Sequence, residues 1–441
     1  MAEPARPHLK LVVPEETQQE PLTPGEVLHH IQLMKARCAW GEIIRAFHPL
    51  EEKRPEFPDC PERILVMQET AFALSQSKRF AEAIDLLLRC HDLDPRSYQV
   101  AASLAFNYYD ALMSDKGKEI RLGEEKARYV EETDRWLRQA QELYPQSVVD
   151  FYRHGMLYHH ILERKDQKAC PLFEKAIANW ESLSGEEQQR RHKDHKNYVK
   201  SLYHLAKARM RLGRYAEAEE AARQCLERDR ETDHQEPVHK FYLLGRILLE
   251  AGREEEALSH LKNAAHLRTK RPKDYVYYTL AVCLVRLERW DEALEWLERV
   301  PPRYRKPHMK RLAGWIHYRT GQGQKAASLL DEALKEDKKG CHLTLVLMGK
   351  IFQDLENWEQ ALKCFRQANE FKRKEFMADH EEALLGEGHC LLKLGDKTAA
   401  ADAFRRVLLT NEANREAAEA LKEITGEEKP PWGREVTEIP F

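Results

Sequence analysis

The segment Gly321-Gln-Gly323-Gln-Lys-Ala326 satisfies the loose Gly-x-Gly-x-x-Gly/Ala spacing with which a backbone turn cradles a pyrophosphate. That chemistry needs a preceding strand to aim a helix N-terminus at the phosphates. Here the glycines stand between two amphipathic stretches, so the segment reads as a turn. Twenty histidines include His154, the pair His159-His160, and His192-x-x-His195. Adjacent histidines diverge by about 100° on a helix, and no cysteine or carboxylate completes a tetrahedral set at a familiar spacing, so a metal site is not expected. The acidic run Glu254-Glu255-Glu256 falls at a helix start, where carboxylates favour the helix dipole, and it reads as that rather than as a catalytic dyad. Phosphate-loop, Gly-x-Ser-x-Gly and His-Glu-x-x-His patterns are missing from the sequence. The expectation is a protein that is not an enzyme, with no catalytic residue, no metal and no cofactor.

The nine cysteines, at 38, 60, 90, 170, 225, 283, 341, 364 and 390, are scattered singly with no Cys-x-x-Cys pair. Spread in this way they read as small buried hydrophobes in a reducing cytoplasm. Seventy-one Lys and Arg against 74 Asp and Glu leave a net charge of -3, which removes the global cationic signature of a nucleic-acid-coating protein. Charged residues make up 33% and hydrophobic residues 42%, against typical values of about 25% and 45–50%, so much of the chain must lie at a surface. Few glycines and prolines, 19 and 20 in 441 residues, disfavour a turn-rich all-β fold and point to helix. Near the amino terminus Leu11-Val12-Val13 is too short for a secretory signal. The richest apolar window, Val276 to Val285, is too short to span a membrane, so a soluble protein without membrane insertion is expected.

The elements that carry these residues repeat. Ala257, Ala293, Ala326, Ala361 and Ala400 recur at 36, 33, 35 and 39 residues by subtraction, and a small residue precedes each by twelve, at Gly245, Ala281, Gly314, Gly349 and Gly388. Small side chains at both places let two antiparallel helices approach closely. The same register recovers Ala206 with Ala218 and Ala71 with Ala83, the latter ending at Pro95.

In this register Trp290-Asp-Glu-Ala-Leu and Trp358-Glu-Gln-Ala-Leu, with Leu297 and Phe365 at the later large-apolar place, resemble the tetratricopeptide repeat. The resemblance implies an all-α fold, a right-handed α-solenoid of helix–turn–helix repeats in which neighbours bury each other's faces. It divides the chain into a disordered tail (1–25), an N-terminal helical half-repeat or cap (26–60), about eight to nine repeats (61–410), a capping helix (411–425) and a flexible tail (426–441). Residues 98–200 form an irregular part of the array. There Tyr98 to Met113 and Trp136 to Pro145 read as two helices separated by an inserted charged segment.

The family lines its concave face with first helices. Carried over by register, that row holds Tyr203, Lys207, Tyr242, Arg246, Tyr278, Arg311, Trp315, Tyr318 and Lys350. Rings and long cations offer contact area and donors to an acidic or amphipathic peptide of a protein partner. One subclass clamps a chaperone's terminal carboxylate with lysines and asparagines. Here the residues after the small position are Lys207, Arg246, Val282, Trp315, Lys350 and His389, so that clamp is not expected. The function implied is a non-enzymatic scaffold or adaptor that binds a peptide or helix in the concave groove. The alternatives are an RNA-associated protein using the basic runs 268–275, 303–311 and 372–374, or an accessory subunit of an enzyme complex. The oligomeric state is left open.

Overall fold

The structure, a computed structural model, describes residues 23–55, 57–163, 165–269 and 272–426. The expected tails fall almost wholly in 1–22 and 427–441, outside the described residues. All the regular structure among the described residues is helical, and the chain divides after Glu236 into two compact units.

In the second unit the antiparallel pairs are Pro237–Glu250 with Glu254–His266, Asp274–Arg286 with Trp290–Glu298, and Pro307–Arg319 with Gly323–Glu336. Cys341–Asp354 with Trp358–Phe376 and Glu381–Lys393 with Lys397–Thr410 follow, and Arg415–Thr425 closes the stack. That last helix is capped by Asn414, whose side chain accepts from the Ala417 amide, and it buries Ala417 and Leu421 alone. An amphipathic helix with one apolar stripe is what the end of a stack requires.

The first unit holds Pro61–Gln76 with Phe80–Leu93, Tyr98–Gly117 with Lys126–Leu143, Val148–Met156 with Asp166–Glu181, and His195–Arg211 with Tyr215–Arg228. A single π-helical turn, Leu157–Ile161, extends Val148–Met156. Nine pairs therefore occupy residues 61–410 among the described residues. Two local readings change. The charged insert is largely helix, since the first helix runs on to Gly117 and the second starts at Lys126; its charges stay solvated on outer faces while Tyr129, Thr133 and Trp136 turn inward. The N-terminal segment is a pair rather than a half-repeat, Pro24–Ala36 against Trp40–Phe47. Thr23 and Glu26 form a capping box that starts its first helix inside the expected tail, and the buried stripe is no more than Val27 and Ile31, too thin to show as a period.

The turn inside each pair is nearly constant. Gly213, Gly252, Gly321 and Gly395 take positive φ two residues before the second helix, and Lys78, Glu288 and Glu356 do so without being glycine. The next amide then donates back into the first helix, Arg253 to the Leu248 carbonyl and Arg289 to Leu284, both at 2.9 Å, which is the Schellman closure.

The small residues act as the register requires, with one refinement. A Cβ built on Gly245 or Gly314 would fall 2.7 Å or 2.9 Å from Cγ of Leu261 or Leu330, and on Gly349 or Gly388 it would fall 2.7 Å or 2.6 Å from the ring of Phe365 or Phe404. The close neighbour is thus the large residue four after the repeat alanine. The alanines themselves are buried, from Ala257 at 0% to Ala326 at 3% exposed.

Candidate functional site

The expected row lies on first helices in both units. In the first unit Tyr203 and Lys207 sit on His195–Arg211. Tyr203 meets His204 edge-on at 5.3 Å. Burial, with Lys207 among the nearby positive charges, holds His159, His160 and His204 below the ordinary histidine range.

In the second unit the row ties one first helix to the next. Tyr242 meets Tyr275 edge-on with ring centres 4.7 Å apart and shares a 3.3 Å hydrogen bond with Thr279. Tyr278 stands edge-on to His308 at 4.6 Å, and burial raises its hydroxyl pKa. Arg311 donates to Thr344 Oγ1 at 3.2 Å and lies 3.5 Å from Asp337. Trp315 and Tyr318 pack at 5.8 Å, with Arg319 over the Trp315 ring at 5.4 Å. The Tyr318 hydroxyl donates to Asp354 at 3.4 Å, and Lys350 is paired with Glu382. Arg246 and Lys350 are exposed, whereas the row's aromatic residues are half-buried. Tyr242, Tyr278 and Arg311 thus take part in the packing between repeats.

The residues singled out for other chemistry are occupied locally. His154 Nε2 is 2.8 Å from Asp134, which also accepts from Arg138 and Tyr158. His159 lies 2.6 Å from Asp166, which accepts from Arg211 at 3.0 Å. Among the described residues no group of three or more His, Cys, Asp or Glu stands as a metal cage. Gly321 sits at φ +77° in the turn before Gly323–Glu336. Several cations of the basic runs turn inward: Lys273 to the Leu267 carbonyl at 2.7 Å, Arg305 to Val300 at 2.8 Å, and Lys310 to Glu332 and Glu336 at 3.0 and 2.7 Å. Lys270 and Arg271 lie outside the described residues. No described helix is long and apolar enough to cross a membrane.

The sequence models of known families decide the family. The description "Tetratricopeptide repeat" fits residues 248–316 by one model, and 203–274 and 346–419 by a second. Residues 203–316 and 346–419 are tetratricopeptide repeats. No curated protein matches the sequence. Among solved structures, yeast Tom70 is similar at 14% identity over 91% of this chain and 88% of that one, with a TM-score of 0.44. The human IFIT1 dimer with PPP-AAAA is similar at 14% identity over 88% and 81%, with a TM-score of 0.39. YrrB, described as a TPR protein with an unusual peptide-binding site, is similar at 18% identity over 46% and 93%, with a TM-score of 0.35. At these values the likeness says nothing about partners.

Between tetratricopeptide repeats the structure shows a recurring contact that the register alone did not reveal. The residue opening a second helix, three before the repeat alanine, meets the residue five after the small position of the following first helix. Asp166 meets Arg211 at 3.0 Å and Glu254 meets Arg286 at 3.7 Å. Arg319 lies over the Trp290 ring at 5.2 Å and Lys393 over Trp358 at 5.8 Å. Each of these four seams is latched by a cation from one side and an acid or a ring from the other.

Proposed function

We propose that this protein is a non-enzymatic protein-interaction scaffold or adaptor that holds a peptide or helix of a partner protein in the concave groove lined by first helices. The observation that carries this reading is the row in the second unit, where Tyr242, Tyr278, Arg311 and Tyr318 are fixed by contacts from one helix to the next and Trp315 packs against Tyr318 and Arg319 of its own helix. Rings and guanidinium groups already held on rigid helices lose little freedom when a ligand arrives, so their contact area converts efficiently into affinity. Arg246 and Lys350 add exposed cations at the edge of the row, which suits an acidic or amphipathic partner segment.

The test is affinity capture from the native cell lysate with the wild-type chain and with a Tyr242→Ala, Arg246→Ala, Trp315→Ala variant of unchanged circular dichroism. A protein lost from the variant alone supports the groove. An unchanged set of captured proteins overturns it.

A further inference from the structure

In the second unit, one seam standing between latched ones lacks this contact among the described residues. Between Gly323–Glu336 and Cys341–Asp354 the two latch positions hold Gly323 and Asp354. Where neighbouring repeats place Trp290 or Trp358 there is no side chain, and where they place Arg319 or Lys393 there is a carboxylate. A Cβ built on Gly323 meets nothing within 4 Å. The vacant place opens into a cavity of about 400 Å³ walled by Gly323, Ala327 and Leu330 on one side and by Met348, Ile351 and Phe352 on the other. Leu355, at its edge, is 61% exposed. The volume lies in the range of sites that bind side chains and small molecules, about 300–1,000 Å³.

The charge around this cavity differs from that at the latched seams. Asp354 accepts a 3.4 Å hydrogen bond from Tyr318, and Glu356 stands exposed two residues on. The nearby cations are engaged elsewhere: Arg319 over Trp290 and Trp315, Lys350 with Glu382, and Lys325 with Gln322.

We propose that this gap is a docking site for a peptide of a partner protein that carries an aromatic side chain beside an Arg or Lys. The ring takes the place that Trp290 and Trp358 fill at the latched seams, and the cation meets Asp354. The partner thereby completes, from outside, the contact that the other seams make within the chain. This site shares Tyr318 with the first-helix row but none of its other residues, and its test does not depend on that row.

The test uses the full-length protein and a fluorescein-labelled hexapeptide, Gly-Ser-Trp-Arg-Ser-Gly, with Ala-Arg and Trp-Glu counterparts, followed by fluorescence polarisation at low salt. The Trp-Arg peptide is expected to bind saturably, about tenfold or more tighter than Ala-Arg, and about threefold or more tighter than Trp-Glu. Gly323→Trp, which supplies the ring in cis at an exposed first-turn position, should weaken binding about tenfold or more with unchanged circular dichroism. Asp354→Lys should reverse the preference between Trp-Arg and Trp-Glu. Equal binding of the Ala-Arg peptide, or full binding by Gly323→Trp, overturns the proposal. So does a Trp-Arg peptide that binds only after residues 427–441 are deleted, since the occupant would then be the chain's own Trp432 and Arg434.

Discussion

Phe365 is 1% exposed, and its ring lies between two glycines, Gly349 on its own repeat's first helix and Gly386 on the next. A methyl group at Gly349 would sit 2.7 Å from the ring and one at Gly386 would sit 2.5 Å from it, against about 3.5–4.0 Å for carbon atoms in contact. The ring cannot retreat from one glycine without striking the other. Gly349→Ala should therefore carry the overpacking penalty of about 1–3 kcal/mol, offset by about 0.5–1 kcal/mol from replacing a mid-helix glycine. The net loss is about 0.5–2 kcal/mol, a factor of about 2–30 in the local opening equilibrium. Because a repeat array can unfold in steps, the assay is hydrogen exchange of the amides in Trp358–Phe376 by mass spectrometry, which reads that opening directly. In a Phe365→Leu background the clash is relieved, and the alanine should be neutral or stabilising. Gly323→Ala, whose Cβ meets open space, serves as the control and should not destabilise. Unchanged exchange in Gly349→Ala, or the same penalty in the Phe365→Leu background, would refute the argument that ring contact requires these glycines.

Arg319→Ala removes the cation from both Trp290 and Trp315; a loss of about 0.5–1 kcal/mol is expected as faster exchange in Trp290–Glu298, and unchanged exchange would remove the latch from the account of seam stability. Asp134 is held below the ordinary carboxylate range by its hydrogen bond with His154 first, then by Arg138 and Tyr158. A depressed folded pKa contributes stability that is complete above the unfolded value of about 3.9 and lost as pH falls through the folded one. Asp134→Asn should therefore flatten the acid limb of the stability curve, and denaturation curves with parallel slopes below pH 4 would contradict this. Glu356 holds φ +55° where other repeats use glycine, so Glu356→Gly should stabilise by about 0.5 kcal/mol, strain relief outweighing lost chain stiffness; a lowered melting temperature would count against it.

The repeat register was legible because the physics that sets it acts on one residue type at a time. A glycine at 245, 314, 349 or 388 is required by a neighbouring Leu or Phe within the same pair, and the two lie at a constant sixteen residues by subtraction. The insert between Met113 and Trp136 hid its helical stretches because a charge-rich segment with a single inward stripe, Tyr129, Thr133 and Trp136, looks like a loop when charge is read before period. The packing of Tyr242, Tyr278 and Arg311 between repeats was equally hidden, since a ring or cation on a first helix can face a ligand or the next repeat, and both uses favour the same residue types.

The seam latches were hidden for a different reason, which also explains why their exception carries information. By subtraction Glu254 and Arg286 are 32 residues apart, Trp290 and Arg319 are 29, Trp358 and Lys393 are 35, and Asp166 and Arg211 are 45. Loops of different length change the distance along the chain, and the partner on one side is Asp, Glu or Trp, so neither a fixed spacing nor a single identity marks the pair. Counted from the alanine of one repeat and the small residue of the next, the same contacts fall at fixed places, because packing geometry is measured from where the helices touch. On that count Gly323 and Asp354 are a departure from the latch rather than two ordinary turn residues. The glycine pattern at 321–326 that resembled a phosphate cradle thus gains a physical reading: Gly321 makes the left-handed turn, and Gly323 leaves open a space that neighbouring repeats fill with a tryptophan. Restoring both partners tests this point. Gly323→Trp with Asp354→Lys should stabilise the seam beyond the sum of the single changes by about 0.5–1 kcal/mol, the worth of a cation over a ring at an exposed site; additive single effects would mean that the two positions do not face one another across the seam.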